Sequence, residues 1–428
     1  MKKIFQNKMV LVLIIFGIQF SIAQKKEENI GTEVVNVVKP YTPTISDAFK
    51  VKEIPALEDA DNTKKEEIKY NFFSFPVAST FVPSKGRAAN VDKSQSEKLY
   101  KNFANLGLGN YTSLNAELFV TENISDHEYI GGMFRHLSSQ GGINGVALNN
   151  DFYKTSVDLT YGNQLQNLTW ISDLGYQNQM YNWYGIPENF SQPTLDRINP
   201  KHTFNNFYVG TNLSLSDSFF KEASLKYNRF WDALGSVENR FFVKPSFEFN
   251  LLNQKIKTNF ILDYLGGNFD KNFSGTNAIK YGFTNVGFQP SIKIQKDDLT
   301  INAGVGLFYS AAQEAGESKF FVYPQVTGSY KIVGDLMILY AGLEGTLQQN
   351  SYHDFVQENF FVSPTLAVAP TDQKFDIYAG LKGKLASSIS YNIRGSYKNE
   401  DGKALFRSNI YNLSNANTDG YTYSNSFD

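Results

Sequence analysis

The sequence has no cysteine in its 428 residues. That absence removes disulfides, thiol catalysis, cysteine-ligated metals and a lipoprotein anchor together. Charge of one sign is missing as well. Forty basic residues face 42 acidic ones for a net charge of −2, which leaves no electrostatic footprint for nucleic acid. Beyond the N-terminus no apolar run is long enough for a membrane helix. Histidine is scarce: His127, His136, His202 and His353 fall at strand ends or in predicted loops. No G-x-S-x-G and no phosphate-cradling glycine loop occurs. Catalysis needs groups that converge, so neither an enzyme nor a cofactor is expected. Asp126-His127-Glu128 reads as a polar turn rather than a metal site.

What is present begins with an address. Lys2, Lys3 and Lys8 precede an apolar run from Met9 to Phe20, and Ser21-Ile22-Ala23 offers small residues for cleavage. Residues 1–23 therefore read as a secretory signal peptide. Residues 24–97 are different in kind. Charges are mixed with Pro40, Pro43 and Pro55, and apolar material for a separate core is short, which predicts an extended periplasmic arm. Within it, Glu33-Val34-Val35-Asn36-Val37-Val38 looks like a TonB box, an acidic-plus-valine segment that pairs with an energy-coupling protein by strand addition. The same residues also suit a short strand docking on the protein itself.

From residue 98 onward the pattern is alternation. In Leu299–Ser310, Leu299, Ile301, Ala303, Val305, Leu307 and Tyr309 form one set. Thr300, Asn302, Gly304, Gly306 and Ser310 form the other, with Phe308 as the apolar intruder. A period of two is a β-strand with an apolar and a polar face, and this one is long enough to cross a bilayer when tilted. The same pattern recurs at Tyr153–Tyr161, Leu168–Tyr176, Phe207–Leu215, Phe241–Leu251, Ile256–Tyr264, Val286–Ile294, Val322–Ile332, Met337–Leu347, Phe375–Leu385 and Ile389–Tyr397. Charges keep to the face opposite the apolar set, as with Lys255, Lys257 and Asp263, or Arg394 and Lys398. A Lys or Arg facing lipid at mid-depth costs about 2–4 kcal/mol, so this segregation predicts lipid outside and a wet lumen inside. A mean hydropathy of −0.33 suits a wall that shows lipid only alternate residues.

Connections alternate too. Short turns such as Asn163–Asn167 and Val333–Asp335 separate longer loops at Leu137–Asn150, Tyr181–His202, Trp231–Asn239, Gly266–Lys280, Ala311–Ser318 and Gln349–Gln373. That is the habit of outer-membrane barrels, whose short turns are periplasmic and long loops extracellular. Trp170, Tyr176, Tyr264, Tyr309, Tyr340 and Tyr397 suit interfacial girdles. In the loop Tyr181–His202, Trp183 and Tyr184 suit either stacking on a flat ligand or a place in the girdle.

Glu358–Arg407 carries a resemblance. Leu366 and Pro370 in an L-x-P-like loop, then Gly380-Leu381-Lys382 in the following strand and the hairpin after it, resemble the late barrel of TonB-dependent receptor-like outer-membrane proteins of the Bacteroidetes type. The resemblance implies an all-β transmembrane antiparallel barrel and a role in, or descent from, solute transport across the outer membrane. It implies outer-membrane lipid, lipopolysaccharide, the barrel-assembly machinery and a TonB-type coupling protein as partners. No stretch between Gln24 and Glu97 matches the family's plug, so a non-transporting structural or assembly component of an outer-membrane complex stays open. Fifteen or sixteen strands are expected over 98–428. A weak last one at Ala404–Asn412 leaves closure onto Leu99–Gly109, or a chain that continues, as alternatives.

Overall fold

The computed structural model describes residues 100–409, apart from 187–190, 197, 252–253, 274–276, 315 and 387. The chain divides into two units, 1–92 and 93–428, and the fold below belongs to the second. The signal peptide, the arm and the TonB-box-like segment Glu33, Val34, Val35, Val37 and Val38 lie outside the described residues.

Among the described residues, fifteen strands form one antiparallel sheet in strict sequence order. They are β1 (Asn102–Gly109), β2 (Ser113–Asn123), β3 (Glu128–Ser139), β4 (Phe152–Gln164), β5 (Leu168–Asn182), β6 (Lys201–Leu215), β7 (Phe220–Asp232) and β8 (Val237–Leu251). Then follow β9 (Gln254–Phe269), β10 (Ile279–Lys296), β11 (Leu299–Ala312), β12 (Lys319–Val333), β13 (Met337–Gln348), β14 (Thr371–Ala386) and β15 (Ile389–Asp401). Two short helices, α1 (Gln192–Leu195) and α2 (Tyr352–Glu358), sit in the β5–β6 and β13–β14 loops.

Register fixes the faces. On β11, Ile301 opposes Ile294, Ala303 opposes Ile292 and Val326, and Val305 opposes Pro324. On the other face Asn302 opposes Lys293 and Thr327. The expected split of this strand is therefore the split of the whole sheet. Leu118, Leu159, Leu174, Val209, Phe260, Val286, Val326, Leu339 and Ile377 all point outward and all stay exposed. So broad an apolar surface is far beyond what water tolerates and is what a bilayer accepts.

Several expectations need correction. Tyr340 is not a girdle aromatic: it lies on the inner face, and its hydroxyl donates to Asn392 at 2.6 Å. Ile338 and Tyr340 put apolar bulk on both faces of β13, which hid its register. The loop expected at Trp231–Asn239 is a four-residue turn between Asp232 and Val237. There Asp232 Oδ1 accepts the backbone N–H groups of Leu234 and Ser236, both at 2.9 Å, and Gly235 supplies the left-handed φ of +86°. No sixteenth strand forms at Ala404–Asn412 among the described residues, where Ser408 is a lone bridge. Hydrogen-bonded partners are β2 for β1 and β14 for β15, so the seam pairing is not formed there.

The sheet is curled. Trp183, just past β5, contacts Phe360 in the β13–β14 loop, although eight strand steps separate β5 from β13. Along a flat sheet that is about 38 Å. Residues 349–360, with about two helical turns inside them, reach about 28 Å at most. Only a curved wall brings the two together. A bulge at Gly345, where the register shifts between Glu344 and Thr346, turns Leu347 inward onto Phe308 and Tyr323. The intruder of β11 is thus an inner-face packing residue.

Candidate functional site

The loop between β13 and β14, residues 349–370, does not project from the rim. It folds against the inner face of the wall at the long-loop end. Its sequence explains its local shape. Ser351 caps α2, its Oγ accepting the Asp354 N–H at 3.1 Å, and Asp354 in the first turn suits the helix's positive end. Tyr352 and Val356, one helical turn apart, are both buried. The Asn359 N–H returns to the Phe355 carbonyl at 2.8 Å and stops the helix.

Apolar burial anchors it. Tyr352, Val356, Val362, Leu366 and Val368 pack on Phe204, Phe230, Leu265, Phe269 and Tyr281 of β6, β7, β9 and β10. Burying each large side chain contributes about 1.5–3 kcal/mol, so the loop is part of the fold and not a loose strap. Around this core sits a polar latch. Glu238 is 2% exposed and its carboxylate accepts three hydrogen bonds: the Tyr352 N–H at 2.7 Å, the His353 N–H at 3.1 Å and the Tyr281 hydroxyl at 2.8 Å. The Tyr352 hydroxyl donates to Asp232 at 2.9 Å. Arg240 holds Asp263 through two hydrogen bonds, at 2.9 and 2.7 Å, and reaches Asp354 at 3.3 Å. Burial pushes the Asp354 carboxyl up, but hydrogen bonds from His353 and Ser351 and the nearby Arg240 charge outweigh it and hold that group below the usual carboxylate range. Between α2 and the inner face of β7 and β8 lies a cavity of about 270 Å³, lined by Lys226, Arg240, His353 and Asp354 among others.

Trp183 is fully buried. It stacks on His202 at 3.7 Å and donates its Nε1–H to the Phe360 carbonyl at 2.8 Å. Its faces are covered, so it fastens the β13–β14 loop instead of meeting solvent. Tyr184 is half-buried and meets Phe361 edge-on at 5.4 Å. In the turn at 126–128, Glu128 is a hydrogen-bond hub for Ser125, Tyr161 and Asn163. Among the described residues no cluster could hold a metal ion. Glu238, Asp232, Arg240 and Tyr352 escaped the sequence reading. The signal was there in Phe204, Phe230, Leu265, Phe269 and Phe308: apolar residues on the inner face near the long-loop end need something inside to pack on.

No protein-family model matches the sequence, and no curated protein does. Solved structures match the fold. The FrpB iron transporter from Neisseria meningitidis (F3-3 variant) superposes with a TM-score of 0.55 at 10% identity, covering 74% of this chain and 56% of its own. The copper transporter OprC gives 0.51 at 14% identity, over 72% and 54%. The ferripyoverdine receptor of the outer membrane of Pseudomonas aeruginosa gives 0.50 at 11%, over 73% and 50%. The chain thus spans about half the length of the structures it resembles. All three are TonB-dependent outer-membrane receptors, and the fold this chain shares with them is their outer-membrane β-barrel.

Proposed function

We propose that this chain carries a solute across the bacterial outer membrane through the polar interior of the curled sheet, with the β13–β14 loop standing in the path. The observation that carries the proposal is the inward fold of that loop onto Glu238, Arg240 and the apolar cluster. A closed-off path with a discrete latch is what a gated conduit needs. The similar structures support the class, since their names describe iron and copper transporters and a siderophore-complex receptor. In this reading the exposed apolar belt meets lipid and lipopolysaccharide, the barrel-assembly machinery inserts the chain, and Glu33–Val38 pairs with a TonB-type protein. Val35→Pro removes a backbone N–H from that pairing, and loss of crosslinking to the coupling protein is its expected result.

A non-transporting structural component is the second reading, favoured by the breadth of the apolar anchorage. Conductance separates the two. Full-length protein in planar bilayers should conduct weakly, and a Glu238→Ala/Tyr352→Ala variant should conduct roughly tenfold more as the loop detaches. Silence from a correctly inserted variant would favour the structural role.

A further inference from the structure

Acidic and basic residues nearly balance over the whole chain, but not on the inner wall. Below the β13–β14 loop, the inner faces of β7 to β15 carry five carboxylates: Glu222, Glu248, Asp263, Glu344 and Asp376. Four are in ion pairs, with Lys257, Lys255, Arg240 and Arg394. The fifth, Glu344, accepts the Tyr378 hydroxyl at 2.6 Å. Every inner acid of this stretch is therefore engaged.

Among the described residues of β7 to β15, six inner-facing lysines form no ion pair: Lys226, Lys244, Lys293, Lys382, Lys384 and Lys398, of which Lys244 stands near the already paired Glu222 and Lys398 opposite the already paired Asp376. Their faces follow from register, since Lys293 opposes Asn302, Lys382 opposes Asn392 and Lys384 opposes Ser390. Lys226 and Lys382 lie over the rings of Tyr208 and Tyr340, at 5.7 and 5.5 Å. The wall of β1 to β6 differs. There Arg135 pairs with Asp158, the inner-facing Lys154 donates to Gln357 of the β13–β14 loop, and Glu117 and Asp173 have hydrogen-bonding neighbours but no ion pair, so the acids outnumber the cations. The interior is thus polarised, with excess positive charge on one side only.

We infer that the unpaired lysines of β7 to β15 form a binding stripe for a small polyvalent oxyanion, a polyphosphate or polycarboxylate, on its way through the lumen. Confined charge of one sign focuses the field and concentrates counter-ions, and lysine-lined walls are how pores select anions. Spacing fits such a ligand. Lys382 and Lys384 are two residues apart on one strand, about 7 Å. Lys331, which pairs with the turn residue Asp335, lies two strands from Lys382 in the same row through Ile338, about 10 Å away. Tyr340, Asn392 and Ser390 stand beside them as neutral donors. A compact monovalent ion would touch one ammonium, whereas a chain of charged oxygens spans several.

The inference gives the transport reading its substrate class, and the test separates the two. Titrate the full-length protein in detergent with sodium tripolyphosphate and with citrate by calorimetry. Compare Lys293→Gln/Lys382→Gln/Lys384→Gln with Lys101→Gln/Lys280→Gln/Lys296→Gln, which removes equal charge away from the stripe. The stripe triple should bind one or both anions roughly tenfold more weakly and the control triple should match the unaltered protein. The preferred anion tells phosphate from carboxylate. No binding of either anion, or equal weakening in the stripe and control triples, overturns the stripe. Proteoliposome uptake is read separately. Binding without uptake of the bound anion overturns transport and leaves the stripe, whereas solute uptake with no anion binding does the opposite.

Discussion

Glu238 concentrates the residue-scale chemistry of this molecule. A buried carboxylate is tolerated only when its oxygens are filled, and here two backbone N–H groups and a tyrosine hydroxyl fill them. Glu238→Ala leaves those donors buried and unmatched, and should weaken the loop's attachment by about 3 kcal/mol. Glu238→Gln keeps an acceptor and should cost less. Limited proteolysis within 349–370 reads both, and equal resistance of the alanine variant and the unaltered protein would rule the latch out. Asp354 adds a pH dependence. Its folded pKa lies below the ordinary value of 3.8, so its contribution is fully present above that value and is lost as pH falls through the depressed pKa. Asp354→Asn should therefore loosen the loop at neutral pH, and the gap from the unaltered protein should close in acid. Proteolysis with pepsin at low pH and trypsin at neutral pH follows that gap.

Element by element, legibility tracked how strictly one face met lipid. The strand at Leu299–Ser310 is legible down to its two faces because Ile301, Ala303 and Val305 keep company only with apolar neighbours. Val305→Arg should destabilise folding into vesicles by about 2–4 kcal/mol, whereas Asn302→Arg, facing Lys293 and Thr327 across the wet side, should cost far less. Equal costs in urea titrations would refute the assignment. Where strands rise past the loop the code changes. Phe204, Phe230, Leu265 and Phe269 are apolar on the inner face, alternation blurs, and expected loops proved to be strand: β6 begins at Lys201 instead of Phe207, and β10 runs from Ile279 to Lys296. The latch was illegible for a related reason. Its members come from β7, β8, β10 and a distant loop, and only the curl of the wall brings Glu238 to Tyr352.

At the scale of the whole sheet, the odd number of strands among the described residues puts its two ends on opposite rims. The chain enters β1 at the end with the short turns and leaves β15 at the end with the long loops. Short turns belong on the periplasmic side of such barrels, which predicts that the 140–151 connection lies outside the cell. The β13–β14 loop shares that end, yet its inward fold changes what a surface probe should find. A tag inserted after Asn149 should be reached by antibody on intact cells, and a tag after Gly334, in the turn between β12 and β13, should not. A tag after Asn359 has a mixed fate: hidden while Trp183 and Glu238 hold the loop, and exposed in the Glu238→Ala/Tyr352→Ala variant. A protein inserted the other way round would label at Gly334 alone, and a loop that simply projected outward would label at Asn359 without any substitution. The three tags together therefore decide both the direction of the wall and whether its mouth is covered from within.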